Sequence, residues 1–151
     1  MTIRPYAAAD LPALVALFTA SVHELGAAHY DKAQRLAWAP LTPDLAAWAH
    51  RLAELHTWVA DADGVLTGFM AYAGNGHIDL LYTAPGLQRS GVATRLYQQA
   101  EKQLRGQALF TEASLVAKPF FLRQGFQVAE VQWVERQGVV LQRFLMRKPV
   151  L

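Results

Sequence analysis

Cysteine is absent from the 151 residues, so the chain can form no disulfide, no thiolate metal site and no cysteine nucleophile. The chain also has no large excess of charge of either sign. The formal net charge is +2, and no run of lysine and arginine marks a surface for nucleic acid. The histidines His23, His29, His50 and His56 lack metal-ligand spacing with carboxylates. We therefore expect no metal and no nucleic-acid partner.

Long apolar segments are missing as well. No uninterrupted apolar run approaches the roughly 18 residues of a membrane span. The N-terminal residues 1–5 have no apolar core of the kind found in signal peptides. Hydrophobic residues nevertheless make up 53% of the chain and charged residues 17%, which is typical of a globular protein. We expect a cytoplasmic protein with a single domain over residues 1–151 and no membrane partner.

Apolar spacing and turn residues predict alternating helices and strands. Asp10 and Thr42 are suited to cap the first two helices. Asp63-Gly64 and Asn75-Gly76 are strong hairpin signals, because both turn residues need positive φ. The predicted order is β-α-α-β-β-β-α-β-α-β-β, with strands at 2–6, 56–62, 65–73, 77–83 and 108–113, a looser segment at 26–40, helices at about 90–106 and 114–124, and two last strands within 126–148.

The turn after the fourth strand is the most informative stretch. It reads Gln88-Arg89-Ser90-Gly91-Val92-Ala93 and leads from a strand into a helix. Glycine lets the backbone come close to an anion, and the first amides of a helix carry the positive end of its dipole. These features favour a phosphate-binding turn.

With its flanking residues, this turn resembles the acyl-CoA-binding motif Q/R-x-x-G-x-G/A of the GNAT (Gcn5-related N-acetyltransferase) superfamily. Residues 117–126 resemble the final helix-to-strand segment of the same family, A-x-x-F-Y-x-x-x-G-F. The two motifs occur in the family's order, and the surrounding elements span nearly the whole chain. The resemblance implies an α/β (α+β) fold with a mixed, mostly antiparallel sheet of about seven strands, flanked by about four helices and splayed between strands four and five.

The same resemblance implies that acetyl-CoA is the co-substrate and that it lies in the gap between those two strands. The main chain of the fourth strand would pair with the pantetheine arm and polarise the thioester carbonyl. The amides of the glycine turn would hold the pyrophosphate. The cofactor-binding residues implied in this way are Leu81, Tyr82, Thr83, Gln88, Arg89, Ser90, Gly91, Val92, Ala93, Thr94, Phe120 and Phe121.

Acetyl transfer to an amine also requires a proton acceptor. An alkyl amine with a pKa near 10 is about 0.1% neutral at pH 7, which adds roughly 4 kcal/mol to the barrier. Alternation predicts that His77 and Asp79 share one face of the fourth strand with Leu81 and Thr83. His77 matches a glutamate of several family members and has a suitable pKa, but it could equally be a solvated strand-end residue. Asp79 could orient His77, bind the ammonium or act as the base.

Phe121 departs from the family, which often has a tyrosine there to protonate the CoA thiolate. Either the thiolate leaves without an acid, which a pKa near 8.5 permits, or another hydroxyl group substitutes. Ser114 is our candidate, although it is also a natural N-cap for the helix that follows. The resulting hypothesis is an N-acetyltransferase that acts on the amine of a small molecule or peptide in a ternary complex. The alternative is a non-catalytic acyl-CoA-binding module, and in either case the last two strands could pair with a second subunit.

Overall fold

The computed structural model describes residues 1–87 and 89–150, so the predicted cofactor contact of Gln88 lies outside the described residues. Within them the chain forms seven strands, five α-helices and two short 3-10 turns. The strands are β1 (Thr2–Pro5), β2 (His56–Ala62), β3 (Val65–Tyr72), β4 (Ile78–Thr83), β5 (Leu109–Ala113), β6 (Gln127–Arg136) and β7 (Val139–Lys148). The helices are α1 (Leu11–Leu25), α2 (Lys32–Trp38), α3 (Leu45–Ala53), α4 (Val92–Gln103) and α5 (Lys118–Arg123), and the turns are Ala8–Asp10 and Gly26–Ala28.

The strands form two antiparallel sheets with the orders β1-β2-β3-β4 and β5-β7-β6. The sheets meet at a single parallel bridge between His77 and Phe110. Beside this bridge the Phe110 N–H donates to Gly76 O at 3.1 Å, and Thr111 Oγ1 donates to Ile78 O at 2.8 Å. Among the described residues β4 and β5 have no other bridge, so they diverge beyond this point. The predicted fold, with its splay between strands four and five, is confirmed.

Glycine is required where the two sheets meet. Gly76 has a φ of +93°, and a Cβ built on it would lie 2.3 Å from the carbonyl oxygen of Ala108. A side chain at this position would therefore force β4 and β5 apart at the closed end of the splay.

The core occupies both faces of the first sheet. On one face α1 covers β3 and β4 while α3 contacts α1 and β2, through a cluster that includes Leu14, Phe18, Leu52, Phe69 and Leu80. On the other face α4, α5 and the second sheet enclose a cluster that includes Met70, Leu96, Tyr97, Phe121, Phe126 and Met146. Gly68 lets α4 come close to β3, because a Cβ there would lie 2.7 Å from Val92 Cγ1.

The segment Ala8–Ala28 has a mean hydropathy of 1.4, and by length and composition this helix could cross a membrane. Its apolar character has an explanation within the fold. Leu14, Val15, Phe18 and Val22 are buried against the first sheet in the core described above. The segment is the core helix α1 with its two flanking turns.

The start of the chain's helical half differs from the prediction in one missed helix and in two capping contacts. The looser segment 26–40 contains α2, which begins with a reciprocal capping box: Asp31 Oδ1 accepts the Gln34 N–H, and Gln34 Oε1 accepts the Asp31 N–H, both at 2.8 Å. Helix α3 is capped by Asp44, which accepts the Ala47 N–H at 3.0 Å, instead of by Thr42. Asp10 is the N-cap residue of α1, as predicted, but its carboxylate accepts the Ala7 N–H and binds Arg4, so the side chain caps the preceding 3-10 turn.

Candidate active site

The alternation of side chains along β4 is broken at Asp79. Ala71 pairs with Leu80 while Tyr72 pairs with Ile78, so Asp79 is the extra residue of a β-bulge. Ile78 consequently lies in the same core cluster as Leu81. The prediction that His77 shares a face with Leu81 and Thr83 is therefore wrong, because the bulge shifts the alternation by one residue.

His77 is paired with a carboxylate on the neighbouring strand. Its Nε2 lies 2.5 Å from Glu112 Oε2, and its ring stacks on Phe110 with the ring centroids 4.6 Å apart. The hydrogen bond to Glu112 raises the pKa of His77 against the opposing effect of burial. The same bond is the largest influence on Glu112, whose pKa it lowers. The two side chains thus favour an imidazolium–carboxylate pair where β4 meets β5.

Asp79 also has a cationic partner. Its Oδ2 lies 3.2 Å from both Nε and Nη2 of Arg51 on α3. The Arg51 guanidinium in turn lies over the ring of Trp48, 5.6 Å from its centroid. The contact fixes the Asp79 carboxylate between α3 and the bulge of β4.

Two cavities meet at these carboxylates. The larger, of about 670 Å³, lies between α2 and α3 on one side and the β6–β7 hairpin on the other. The smaller, of about 340 Å³, lies in the gap between β4 and β5 and extends to α4 and α5. Five residues line both of them: Trp38, Asp79, Tyr82, Glu112 and Ser114. We call this shared region the junction. His77 is not among the described residues that line either cavity; Glu112 stands between it and the junction.

The smaller cavity, which we call the cleft, is lined by most of the predicted cofactor-binding residues. They are Leu81, Tyr82, Thr83, Arg89, Gly91, Val92, Ala93, Thr94, Phe120 and Phe121. Ser90 is not among the described lining residues, and its N–H already donates to Leu87 O at 3.3 Å. The cleft therefore brings together the strand edge, the glycine turn and α5.

The glycine turn brings the first amides of α4 to the cleft. The first hydrogen bond of α4 runs from the Arg95 N–H to Gly91 O. The N–H groups of residues 92–94 therefore have no acceptor within the helix. Gly91 has a φ of +88°, and a Cβ there would meet nothing within 4 Å, so open space adjoins its Cα. Arg89 and Arg123 add positive charge to the lining. Arg123 is a cleft residue that sequence reasoning missed. The arrangement suits an anion such as a diphosphate.

The edge of β4 that faces the cleft has unused backbone groups. The Ala84 N–H donates to Thr67 O on β3 at 2.9 Å. In an antiparallel pair, successive residues direct their N–H groups to opposite sides, so Tyr82 also donates toward β3 while Leu81 and Thr83 point into the cleft. An extended ligand in the cleft could pair with these two residues as an added strand would.

Ser114 lies at the junction with its hydroxyl group partly engaged. Ser114 Oγ accepts the Ala117 N–H at 3.1 Å, which leaves the hydroxyl hydrogen free to be donated. Helix α5 begins only at Lys118, with Ala117 as its N-cap, so the predicted helix start at Ser114 was wrong. Ser114 instead caps the turn that leads into α5.

Neither Phe121 nor Tyr30 offers a free hydroxyl group. Phe121 is 2% exposed and packs edge to face on Phe126, with the ring centroids 5.0 Å apart. The Tyr30 hydroxyl donates to Gln142 O and accepts the Leu115 N–H, both at 2.9 Å. Burial raises the pKa of Tyr30, and its hydroxyl group joins the first turn after α1 to β7.

Comparison with known proteins identifies the family. The family model described as "Acetyltransferase (GNAT) domain" matches residues 27–148. The chain belongs to the GNAT acetyltransferase family. It is 36% identical to the uncharacterized N-acetyltransferase YafP of Escherichia coli (strain K12). The alignment spans 145 residues and covers 96% of this chain and 93% of YafP.

Solved structures of other GNAT proteins agree with this assignment. A GCN5-related N-acetyltransferase from Rhodopseudomonas palustris superposes on this chain with a TM-score of 0.93 at 34% identity. The superposition covers 99% of this chain and 95% of the Rhodopseudomonas chain. The PaiA N-acetyltransferase from Thermoplasma acidophilum, solved in complex with coenzyme A, shares the fold with a TM-score of 0.78 at 19% identity, with 99% of both chains covered.

Sequence reasoning missed Glu112, the second carboxylate at the junction of this GNAT site. It lies on both cavities and binds His77. One signal could have identified it: Glu112 is the only charged residue within the otherwise apolar and small residues 108–113. Arg51 gave no comparable signal, because it lies on the exposed side of a helix and reaches Asp79 only through the packing of α3.

Proposed function

We propose that the chain transfers the acetyl group of acetyl-CoA to an amine by direct attack in a ternary complex. The single observation that carries this proposal is the junction. One cavity has the amides and arginines that suit a diphosphate, the other is an open pocket, and they meet at two carboxylates. Both substrates can therefore be bound together, with their reacting ends at the junction.

Acetyl-CoA would occupy the cleft. Its diphosphate would accept hydrogen bonds from the amides of residues 91–94, with Arg89 and Arg123 near the charge. Its pantetheine arm would pair with the free edge of β4. The Leu81 N–H, which points into the cleft, would then donate to the thioester oxygen as negative charge develops on it.

The proton on the acceptor amine would leave through the carboxylates. In this proposal the ammonium binds at Asp79 and Glu112, and Glu112 accepts the proton while His77 holds its carboxylate in place. The nitrogen lone pair forms the C–N bond, the nitrogen releases its second proton to solvent, the C–S bond breaks, and CoA leaves as a thiolate. Ser114 can donate its hydroxyl proton to that thiolate and regain one from solvent. The overall products are the amide, free CoA and one proton.

The test is the release of free thiol from acetyl-CoA in the presence of a panel of amines. For the responsive amine, Glu112→Gln should lower kcat/KM about 100-fold at pH 7 and less at pH 9, where more of the amine is already neutral. Glu130→Gln, on the exposed strand β6, is the matched control and should leave kcat/KM unchanged. An equal loss at both pH values would contradict the role of Glu112 as proton acceptor.

A non-catalytic acyl-CoA-binding module is the second candidate. It is favoured by Phe121, which carries no hydroxyl group at a position where the family often has a tyrosine, and which is buried in the core. Such a module would bind acetyl-CoA in the cleft and protect its thioester. Calorimetric binding of acetyl-CoA without thiol release from any amine would support this candidate over the transferase.

A further inference from the structure

The walls of the larger cavity differ in chemistry, and their difference bears on what the acceptor is. The wall formed by α1, α2, α3 and the end of β4 is aromatic. Phe18 contacts Trp48 and Tyr82 edge to face, with ring centroids 4.7 and 4.9 Å apart, and Trp38 lies 6.4 Å from Tyr82. All four of these rings line the cavity. Such a wall suits an apolar or aromatic body.

The opposite wall, formed by the β6–β7 hairpin, carries a guanidinium group with spare donors. Arg143 on β7 is half-buried and lines the cavity. Its Nε donates to Gln132 Oε1 at 2.8 Å, which holds the side chain in place. Within residues 1–87 and 89–150, no carboxylate lies within ion-pair distance of Arg143. The four remaining N–H donors of its fork are therefore available to a ligand.

Each carboxylate of the junction has one cationic partner and keeps further acceptor positions for an ammonium group. Asp79 is paired with Arg51, and Glu112 is paired with His77. Arg143 is left over as a half-buried cation, and burying a charge is unfavourable unless a partner compensates it. Arg143 also lies close enough to Glu112 to contribute to lowering its pKa, although less than His77 does. The unmatched cation and the carboxylates of the junction are thus close together.

We propose that the acceptor is an amino acid, with a primary amine and a carboxylate on an apolar or aromatic body. Its ammonium binds at Asp79 and Glu112, its carboxylate binds the fork of Arg143, and its side chain lies against the aromatic wall. A guanidinium fork matches a carboxylate in geometry and can donate two parallel hydrogen bonds. This inference rests on the proposed transferase function and names the substrate class of that site.

The experiment compares amino acids with their amides, which keep the amine and the side chain but lack the carboxylate. Phenylalanine, leucine and alanine are each paired with the corresponding amide, and thiol release from acetyl-CoA is measured. We expect the best acid to exceed its amide in kcat/KM by on the order of 10- to 100-fold, the usual effect of losing a charge-assisted hydrogen bond. Turnover of the amides as fast as the acids would overturn the inference while leaving the transferase proposal intact.

Arg143→Gln identifies the residue responsible. In this variant we expect KM for the acid to rise at least tenfold while kcat/KM for the amide stays unchanged, so that the preference disappears. Arg147→Gln is the matched control, because Arg147 lies on the same strand but is exposed and is not among the described residues lining either cavity. Equal losses for acid and amide in Arg143→Gln would show a structural role and overturn the assignment.

Binding measurements keep the inference testable if no thiol is released. Each acid and amide is titrated calorimetrically into the protein saturated with CoA. Binding of the acids that is lost in Arg143→Gln would support the carboxylate site even though the transferase proposal had failed. Absence of binding by every acid, or equal binding of acids and amides, would overturn it.

Discussion

The pairing of His77 with Glu112 fixes the charge of both residues. Because the hydrogen bond to Glu112 is the main cause of the raised pKa of His77, Glu112→Gln should lower that pKa. The pKa can be measured from the imidazole resonances in an NMR titration. Asp79→Asn is the control and should lower it less, since Asp79 acts on His77 only through space. An unchanged pKa in Glu112→Gln would contradict the assigned cause.

The same pair makes folding stability depend on pH. A raised pKa of His77 means that its contribution is present at low pH and is lost as the pH rises through the pKa of the folded state. A lowered pKa of Glu112 means that its contribution is present above its ordinary pKa and is lost as the pH falls through the folded value. We therefore expect Glu112→Gln to reduce the free energy of unfolding more at about pH 6 than at about pH 9. Urea unfolding at both pH values checks this, and a reduction of equal size at the two would contradict it.

Gly91 and Gly86 form a matched pair in the turn before α4. Both have positive φ, +88° and +84°, and a Cβ on either would meet nothing within 4 Å. Each alanine substitution should cost about 1 kcal/mol of stability. Only Gly91 lines the cleft among these two, so Gly91→Ala should weaken CoA binding at least tenfold by calorimetry while Gly86→Ala leaves it unchanged. Equal affinities would exclude the turn as the diphosphate site.

The residues of the site could be predicted only where the backbone follows a regular pattern. The cleft-lining residues 91–94 follow from a local motif, because the turn and the start of the helix are adjacent in sequence. The face of His77 could not be predicted, because a one-residue bulge at Asp79 leaves no mark in the sequence and shifts the alternation. The pairing of His77 with Glu112 could not be predicted either, because the two residues are 35 positions apart and meet only where β4 contacts β5.

At the scale of elements, the contact between β4 and β5 depends on the turn that precedes β4. Gly76→Ala would place a methyl group against Ala108 O and would also strain a positive φ. We expect it to cost about 2–4 kcal/mol of unfolding free energy and to weaken CoA binding by widening the cleft. Gly74→Ala in the same turn is the control, because a Cβ there meets nothing within 4 Å. Thermal unfolding with and without CoA measures both effects, and equal melting temperatures for the two variants would contradict the argument.

The elements differ in how far the sequence determines them. The Asp-Gly and Asn-Gly hairpins were predicted correctly, but positive φ at both turn residues is found only at Asp63-Gly64; in the second turn Gly76 has positive φ and Asn75 does not. Helix α2 was missed although its capping box, Asp31 and Gln34, can be read in the sequence. Residue type alone could not decide which residue caps α3, because Thr42 and Asp44 are both good N-caps.

At the scale of the whole molecule, two sheets share one joint and separate away from it. Among the described residues, β4 is an edge strand of the first sheet and β5 an edge strand of the second, and beyond the joint their facing edges are not paired with each other. Family resemblance predicted this splay, whereas composition and periodicity alone predicted only the order of the strands. An open edge of this kind can bind a ligand through its main chain whatever the side chains are. This explains why the side chains of the cleft reveal so little of the binding site in the sequence.

The open edge predicts a specific pattern of hydrogen exchange. In the free protein the amides of Leu81 and Thr83 point into the cleft, whereas the amide of Tyr82 donates to β3. Saturation with CoA should therefore slow exchange at Leu81 and Thr83 by at least tenfold more than at Tyr82, whose gain reflects only the global stabilisation by a bound ligand. Residue-resolved exchange by NMR measures the three amides in one sample. Equal slowing at all three would mean that the ligand stabilises the fold without pairing with β4, and the added-strand arrangement would be wrong.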